Sequence, residues 1–506
     1  MNFANVVDLA ARNVPVKPAV SDTTELLTYS ALSEKTNAAA NALHSLGVRP
    51  EDRVAICLRN RLEFLTAYLG AMKLGAVPVP INTQFNGAQI RYVLDTSSVS
   101  VIVTDARFTD IATSVETPIT VDGSVGHDYH DLLAGAADTC EVYPRRSDDI
   151  AEVLYTSGTT GRPKGVRHTH GNLEANAMTL IKYLGLTQQD VGLTVCQCFH
   201  VVGLNVTTTP LLLAEAENRL LPEWDPETVL RTIETHSVTS VFFTPSMVID
   251  LLDYTGIERY DLSSLKAVGI GGAPMPKGRF EEAERTLGCP VLEGYGMTET
   301  TPLAAFNRLH AETRKRGSVG PPARDVVALR IEDPETGEPV AQGDRGELLW
   351  RGDTVTPGYE RQQNNNEAFV NRNDSTWFRS GDIGWLDNDG HLFVVDRRED
   401  MFMTGCANVY PREIEDVLYE IDHVSGAAVI DARDDLRGAV VTAIIARTSD
   451  ELTVNHVIET CETHLETHEV PQQVTFVDEI PRTATGKIDR ITLRDTFGTN
   501  SSSERR

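Results

Sequence analysis

Residues 155 to 166 read YTSGTTGRPKGV, a run of glycine and hydroxylated residues that ends in Pro163-Lys164-Gly165-Val166. Gly158, Gly161 and Gly165 free the backbone to turn its N–H groups toward one point. Thr156, Ser157, Thr159 and Thr160 add hydroxyl donors, so the loop has the chemistry to cradle phosphate oxygens. Lys164 supplies a full positive charge. A P-loop kinase or ATPase is disfavoured, because a Walker A loop runs G-x-x-x-x-G-K-[ST] into a helix, whereas here Pro163 precedes the lysine and Gly165 follows it. Taken alone, the same residues also suit a hairpin between Val153-Leu154 and Val166.

On either side of this loop, short β-rich runs alternate with helical patterns. RVAICL, AVPVPI, VSVIVTD, VTSVFFT and KAVGIGG have the character of buried strands, and residues 62–74 and 225–236 carry helical spacing. Alternation of this kind points to layered α/β architecture. After Gly346 the texture changes to ELLWRGDTV and GDIGWLDNDGHLFVVDRR, alternating residues and turn signals that suggest a small β subdomain. A break follows near Asp396 to Asp400. Beyond it, YPREIEDVLYEI is an amphipathic helix opened by Pro411, GAAVID and AVVTAIIA bracket a turn, and NHVIETCETHLETH is a second helix. The expected organisation is a large N-terminal α/β domain over 1–396, a connection at 397–400, a small α+β domain over 401–495 and a frayed tail over 496–506.

Composition narrows the function classes. The 506 residues carry 73 acidic against 46 basic side chains, a net charge of −27, and only nine of the basic residues are lysine. Nucleic acid is not an expected partner, since it requires clustered positive charge, and anionic membranes are disfavoured by the same field. A dense acidic surface poor in lysine suits a protein kept soluble in concentrated salt, where self-repulsion is screened. The seven cysteines are scattered with no C-x-x-C pair, and no basic-then-apolar leader precedes them, so reduced thiols in the cytoplasm are expected. The most apolar stretch is interrupted by Arg59, Arg61, Glu63 and Lys73, and no integral membrane association is expected.

Further motifs follow the loop in order: GGAP (Gly271, Gly272, Ala273, Pro274), GYGMTE (Gly294 to Glu299), WFRSGD (Trp377 to Asp382), DRREDMFMTGCANVYPREIE (Asp396 to Glu415) and PRTATGKIDR (Pro481 to Arg490). Together with YTSGTTGRPKGV this set resembles the adenylate-forming superfamily of acyl- and aryl-CoA synthetases, luciferases and peptide-synthetase adenylation domains, over residues from about 150 to 490. The resemblance implies a two-step reaction with ATP, Mg²⁺ and coenzyme A. A carboxylate attacks the α-phosphate to give an acyl-adenylate and pyrophosphate, then a thiol attacks the acyl group.

The resemblance also assigns roles. Thr156, Ser157, Gly158, Thr159, Thr160, Gly161 and Lys164 would hold the β,γ-phosphate end, and Lys487 would contact the carboxylate and α-phosphate. Thr298 would donate to the α-phosphate and Glu299 would bind Mg²⁺. Tyr295 would stack on adenine within Gly294, Gly296 and Met297, faced by Gly271, Gly272, Ala273 and Pro274. Asp382 and Arg397 would bind the ribose. Domain rotation about Arg397 to Asp400 would bring Gly405 and its neighbours to a pantetheine channel. The chain departs from commoner family residues at Glu399, on the pivot, and at Cys406, where many relatives have glycine.

The segments matching the acyl pocket are QCFHVVGL (Gln197 to Leu204), VFFTPSM (Val241 to Met247) and GYGM, and apart from His200 none carries a charge. An amino-acid substrate would need a carboxylate for its ammonium group. The expectation is therefore an uncharged acyl or aryl acid, with His200 as a wall or gate beside the reacting carboxylate. A fatty acid is the first choice and a benzoate- or coumarate-type aryl acid the second. A luciferase-like oxygenase and a silent adenylate-binding protein stand as readings from other classes. With no carrier domain after residue 490, free coenzyme A is the expected thiol; whether the chain forms a homodimer is left open.

Overall fold

The computed structural model describes residues 1–156, 162–273, 275–309, 314–404, 407–434, 438–482 and 488–498. Among these, two sheets form the α/β body. RVAICL, AVPVPI and VSVIVTD, consecutive in the chain, become the strands Arg53–Cys57, Val77–Pro80 and Val101–Thr104 of an all-parallel sheet completed by Thr117–Thr120 and His127–Asp128. VTSVFFT and KAVGIGG supply Ser240–Phe243 and Ala267–Ile270 to the second sheet. There they lie between Val191–Thr194 on one side and Val291–Gly296 on the other. Both faces of these strands are covered, which explains their continuous apolar runs. The two helices expected between strands are present at Leu62–Lys73 and Pro226–His236; the second is opened by Asp225, whose side chain accepts from the Thr228 N–H.

The YTSGTTGRPKGV stretch lies on a separate element. Ile150–Thr156 and Lys164–Thr169 pair antiparallel, as the hairpin reading expects, and the residues between them that would cradle phosphate, 157–161, lie outside the described residues. The second strand of the hairpin continues through a bridge from Val166 to Tyr359, joining it to the antiparallel subdomain. That subdomain begins earlier than its sequence texture suggests: Val327–Glu332 pairs with Gly346–Gly352, followed by Ser375–Leu386, Phe369–Arg372 and Leu392–Arg397. The segment VALRIE escapes a period-2 reading because its four middle residues are all partly exposed at the sheet edge.

After Asp396 a small α+β unit forms from the strands Val424–Asp434, Gly438–Arg447 and Gln473–Val477 with the helices Pro411–Tyr419, Val454–His464 and Arg490–Phe497. Among the described residues, no apolar cluster mixes side chains from before Asp396 with side chains from after it. The two parts meet through polar groups. Arg345 grips Glu413 with both terminal nitrogens at 2.8 Å, the Arg412 N–H donates to Asp396 at 2.9 Å, and the Arg412 guanidinium donates to the Val394 carbonyl at 2.8 Å. No helix among the described residues is long and apolar enough to cross a membrane.

Candidate active site

The carboxyl ends of Ala267–Ile270 and Val291–Gly296 lie side by side in the second sheet and deliver two of the motifs to one place. Gly271 is buried there, and a Cβ on it would stand 2.9 Å from the Gly294 carbonyl, so the two loops approach as backbone. Gly272 turns away with φ of +82°, a conformation that other residues adopt only with strain. Ala273 is half-buried beside it, and Pro274 lies outside the described residues.

Tyr295 follows Gly294 on the strand and rests on Trp350, fully buried, at 5.9 Å between ring centres. Its hydroxyl donates to Asp382, and the other Asp382 oxygen takes the Arg397 Nε at 2.8 Å. Asp382 is 5% exposed and sits opposite Arg397 in the strand pairing. The Asp382 carboxylate raises the Arg397 pKa against the opposing pull of burial, and burial together with Asp382 holds the Tyr295 phenol well above its ordinary value. Sequence reasoning thus placed Tyr295, Asp382 and Arg397 in one pocket, and the structure brings them into direct contact.

Thr298 and Glu299 open a single helical turn, Thr298–Thr300, after Gly296 and Met297. Three groups hold it against the hairpin. The Thr356 N–H donates to the Glu299 carbonyl at 2.9 Å, Tyr359 donates its hydroxyl to Glu299 Oε1 at 2.8 Å, and His168 Nε2 lies 2.6 Å from the Thr298 carbonyl. Lys164 is half-buried at the head of the second hairpin strand, opposite Thr156, and forms no ion pair among the described residues. Gly165 lets the Tyr155 ring close over the strand, since a Cβ there would stand 2.8 Å from it, and its carbonyl accepts from the Glu360 N–H. The hairpin Ile150–Thr169 and the Glu299 turn are therefore tied together through Thr356 to Glu360.

His200 is half-buried at the start of the helical segment Val202–Thr208, a π-helix, with its ring edge-on to Phe199 at 4.8 Å. Phe242 closes the same region: a Cβ on Gly269 or Gly271 would meet its ring at 2.6 or 2.9 Å. Asn60 fixes the approach to His200 by donating to the Cys196 carbonyl at 3.0 Å and accepting from the Cys198 N–H at 2.7 Å. Ser157 to Gly161, Gly405, Cys406 and Lys487 lie outside the described residues.

A Mg²⁺ ion fits this chemistry. Glu299 offers a carboxylate with only Oε1 engaged by Tyr359, and Mg²⁺ is commonly held by one or two carboxylates together with substrate phosphates. No cluster of three or more metal-ligating side chains occurs among the described residues, so the phosphates would have to complete the shell.

The comparisons match this geometry. A family model described as AMP-binding enzyme matches residues 7–360, and the AMP-binding enzyme C-terminal domain matches residues 413–487. The chain belongs to the AMP-binding enzymes of the adenylate-forming superfamily. This AMP-binding enzyme is 32% identical over 482 residues to a 2-succinylbenzoate–CoA ligase of Bacillus cereus, covering 95% of the chain and 96% of that protein. It is 33% identical over 492 residues to a feruloyl-CoA synthase of an Amycolatopsis species, covering 96% and 97%. The ATP-bound structure of MatB from Rhodopseudomonas palustris superposes with a TM-score of 0.89 at 30% identity, covering 98% of this chain and 99% of that one; its apo structure gives 0.81. The enzyme is an AMP-forming acid–thiol ligase, an acyl-CoA synthetase in the broad sense, that uses ATP and coenzyme A.

Several residues that build the AMP-binding enzyme's pocket were not read from the sequence: Trp350, Tyr359, Asn60 and the pair Glu152 and His168. Tyr359 had a usable signal in the turn-forming Pro357-Gly358 before it; the others resemble ordinary core or strand residues. Glu293, one residue before Gly294, was also missed. Burial raises its carboxyl to about 7, Arg412 pulls it down and Asp416 pushes it up. Because its folded pKa lies above the unfolded value of 4.5, its protonation favours the folded state at low pH. That contribution is lost as pH rises from 4.5 through 7, by about 1.4 kcal/mol per unit. Glu293→Gln is expected to flatten this part of the stability profile; chemical denaturation at pH 5 and pH 8 measures it, and an unchanged slope counts against the assignment.

Proposed function

We propose that this ligase activates an aryl acid and transfers it to free coenzyme A. Its similarity to a 2-succinylbenzoate–CoA ligase and a feruloyl-CoA synthase over nearly the whole length carries this reading. The Phe199 ring, edge-on to His200 at 4.8 Å, agrees with it. These observations reverse the order of the two acids expected from the sequence. The aliphatic side chains of Val201 and Met247 keep a fatty acid as the second reading.

In the first step a carboxylate oxygen attacks the α-phosphorus and pyrophosphate leaves. Two anions must approach, so catalysis rests on positioned positive charge and hydrogen bonds. Lys164 and the hairpin tip hold the leaving phosphates, Thr298 donates to the α-phosphate, and Tyr295, Asp382 and Arg397 orient the nucleoside. Mg²⁺, held by Glu299, would neutralise phosphate charge when bound. Lys487 brings charge to the reacting oxygens. In the second step the thiol attacks the acyl carbon and AMP leaves, with the part after Asp400 turned about Arg397 to Asp400 so that the segment containing Gly405 lines the channel. His200 forms the wall beside the carboxylate.

The test is pyrophosphate exchange over benzoates, cinnamates and fatty acids of eight to sixteen carbons, in high and low salt, followed by thioester detection. An aryl acid is expected to exceed every fatty acid by about tenfold or more in kcat/KM, the discrimination a shaped pocket reaches. A fatty acid at the head of the series overturns the reading.

A further inference from the structure

Behind the Thr298–Glu299 turn lies a buried polar network that the two-step reaction does not by itself require. Glu152 and His168 face each other across the hairpin that carries the phosphate loop, and both are 0% exposed. His168 Nδ1 lies 2.8 Å from Glu152 Oε1, and its Nε2 lies 2.6 Å from the Thr298 carbonyl. Asn205, within the helical segment after His200, donates to Glu152 Oε1 at 2.6 Å, and the Tyr68 hydroxyl donates to Oε2 at 2.8 Å. A second amide, Asn176, holds Asn205 in place by donating to its carbonyl at 2.7 Å.

The proton inventory follows from these partners. The Thr298 carbonyl can only accept, so His168 Nε2 carries a proton. Glu152 accepts from Asn205 through Oε1 and from Tyr68 through Oε2, and Oε1 also faces His168 Nδ1, so both buried side chains are held by hydrogen bonds. The outward bond of the pair runs from His168 Nε2 to the carbonyl of Thr298, which precedes Glu299 by one residue.

We propose that Glu152 and His168 are positioning residues for adenylate formation. His168 fixes the carbonyl of the Thr298–Glu299 turn to the phosphate hairpin, so that the two banks of the phosphate site hold one spacing. Glu152 holds the His168 ring in place through Nδ1 and, through Asn205, ties this spacing to the segment that begins at His200 beside the acid. The proposal rests on the phosphate and metal roles given above to Thr298 and Glu299. Groups that orient ligating carboxylates from behind cost about 10- to 100-fold when removed.

The test uses the full-length enzyme with the best acid of the panel and its chemically prepared adenylate. His168→Leu removes the donor to Thr298. It is expected to lower pyrophosphate-exchange kcat/KM for ATP by about 10- to 100-fold and to raise the Mg²⁺ concentration for half-maximal exchange. The KM for the acid and thioester formation from supplied adenylate are expected to stay within about threefold. His168→Gln, which can still donate an N–H, is expected to recover part of the loss. Should His168→Leu fail to fold, the isosteric Glu152→Gln carries the same test. Unchanged exchange, or equal loss in both half-reactions, overturns the proposal. Glu299→Gln is measured in parallel: if it leaves exchange and its Mg²⁺ dependence untouched, the assignment of the turn has failed; if it abolishes exchange while the His168 and Glu152 variants do not, only the positioning role has.

Discussion

Lys487→Ala is expected to lower pyrophosphate exchange by about 10²- to 10³-fold while thioester formation from supplied acyl-adenylate stays largely intact, the scale of loss found when one preorganised charge-stabilising group is removed. The asymmetry matters more than the size. In the first half-reaction two anions are forced together, and a cation between them acts on the transition state; in the second the attacking thiol and departing AMP do not require it there. Before and after the segment that carries Lys487, Arg482 and Ile488 form a bridge and the Asp489 N–H donates to the Pro481 carbonyl at 2.9 Å. Rapid-quench measurement of each half-reaction checks the expectation, and parallel losses would remove Lys487 from the role given to it.

Asp382→Asn is expected to act on both half-reactions. The nucleoside moiety is present in ATP and in the acyl-adenylate alike, and the substitution replaces a carboxylate that accepts from Tyr295 and Arg397 with an amide that can accept through one atom only. A hydrogen bond to a charged group is worth about 1.5–3 kcal/mol, so the KM for ATP should rise about 10- to 10²-fold, with comparable weakening toward supplied adenylate. Initial-rate kinetics with each nucleotide make the comparison. An unaltered KM for ATP would move the ribose elsewhere. Together the two substitutions separate a group that acts on one step from a group that holds what both steps share.

Much of this was legible in the chain. The loop at Tyr155, GYGMTE, Asp382 and Arg397 announced themselves because each uses glycine, a hydroxyl or a charge where the local pattern did not demand it, and the strands before them showed as apolar runs. Less visible was the assembly. RVAICL, AVPVPI and VSVIVTD form their own sheet, while Pro18–Ser21 pairs with Glu217–Leu220, about two hundred residues away. Such a choice depends on non-local partners that no window of sequence contains. Glu152 and His168 are sixteen residues apart and each sits in a strand that reads as ordinary; only the hairpin register sets them face to face. Tyr359 and Trp350 owe their positions to the antiparallel subdomain folding back on the hairpin and on Tyr295, which is again a property of topology.

The contact between the two parts of the chain is a polar bearing. Because the apolar clusters among the described residues stop on either side of Asp396, the turn proposed about Arg397 to Asp400 would expose little oily surface and would exchange one set of ionic and hydrogen-bonded partners for another or for water. Bonds such as Arg345 to Glu413 lie at the surface, where water and salt substitute for either member at small cost. The tempo of such a turn would then depend on dissolved ions as well as on the protein. In a chain with a net charge of −27, the medium that screens the surface would also ease the joint.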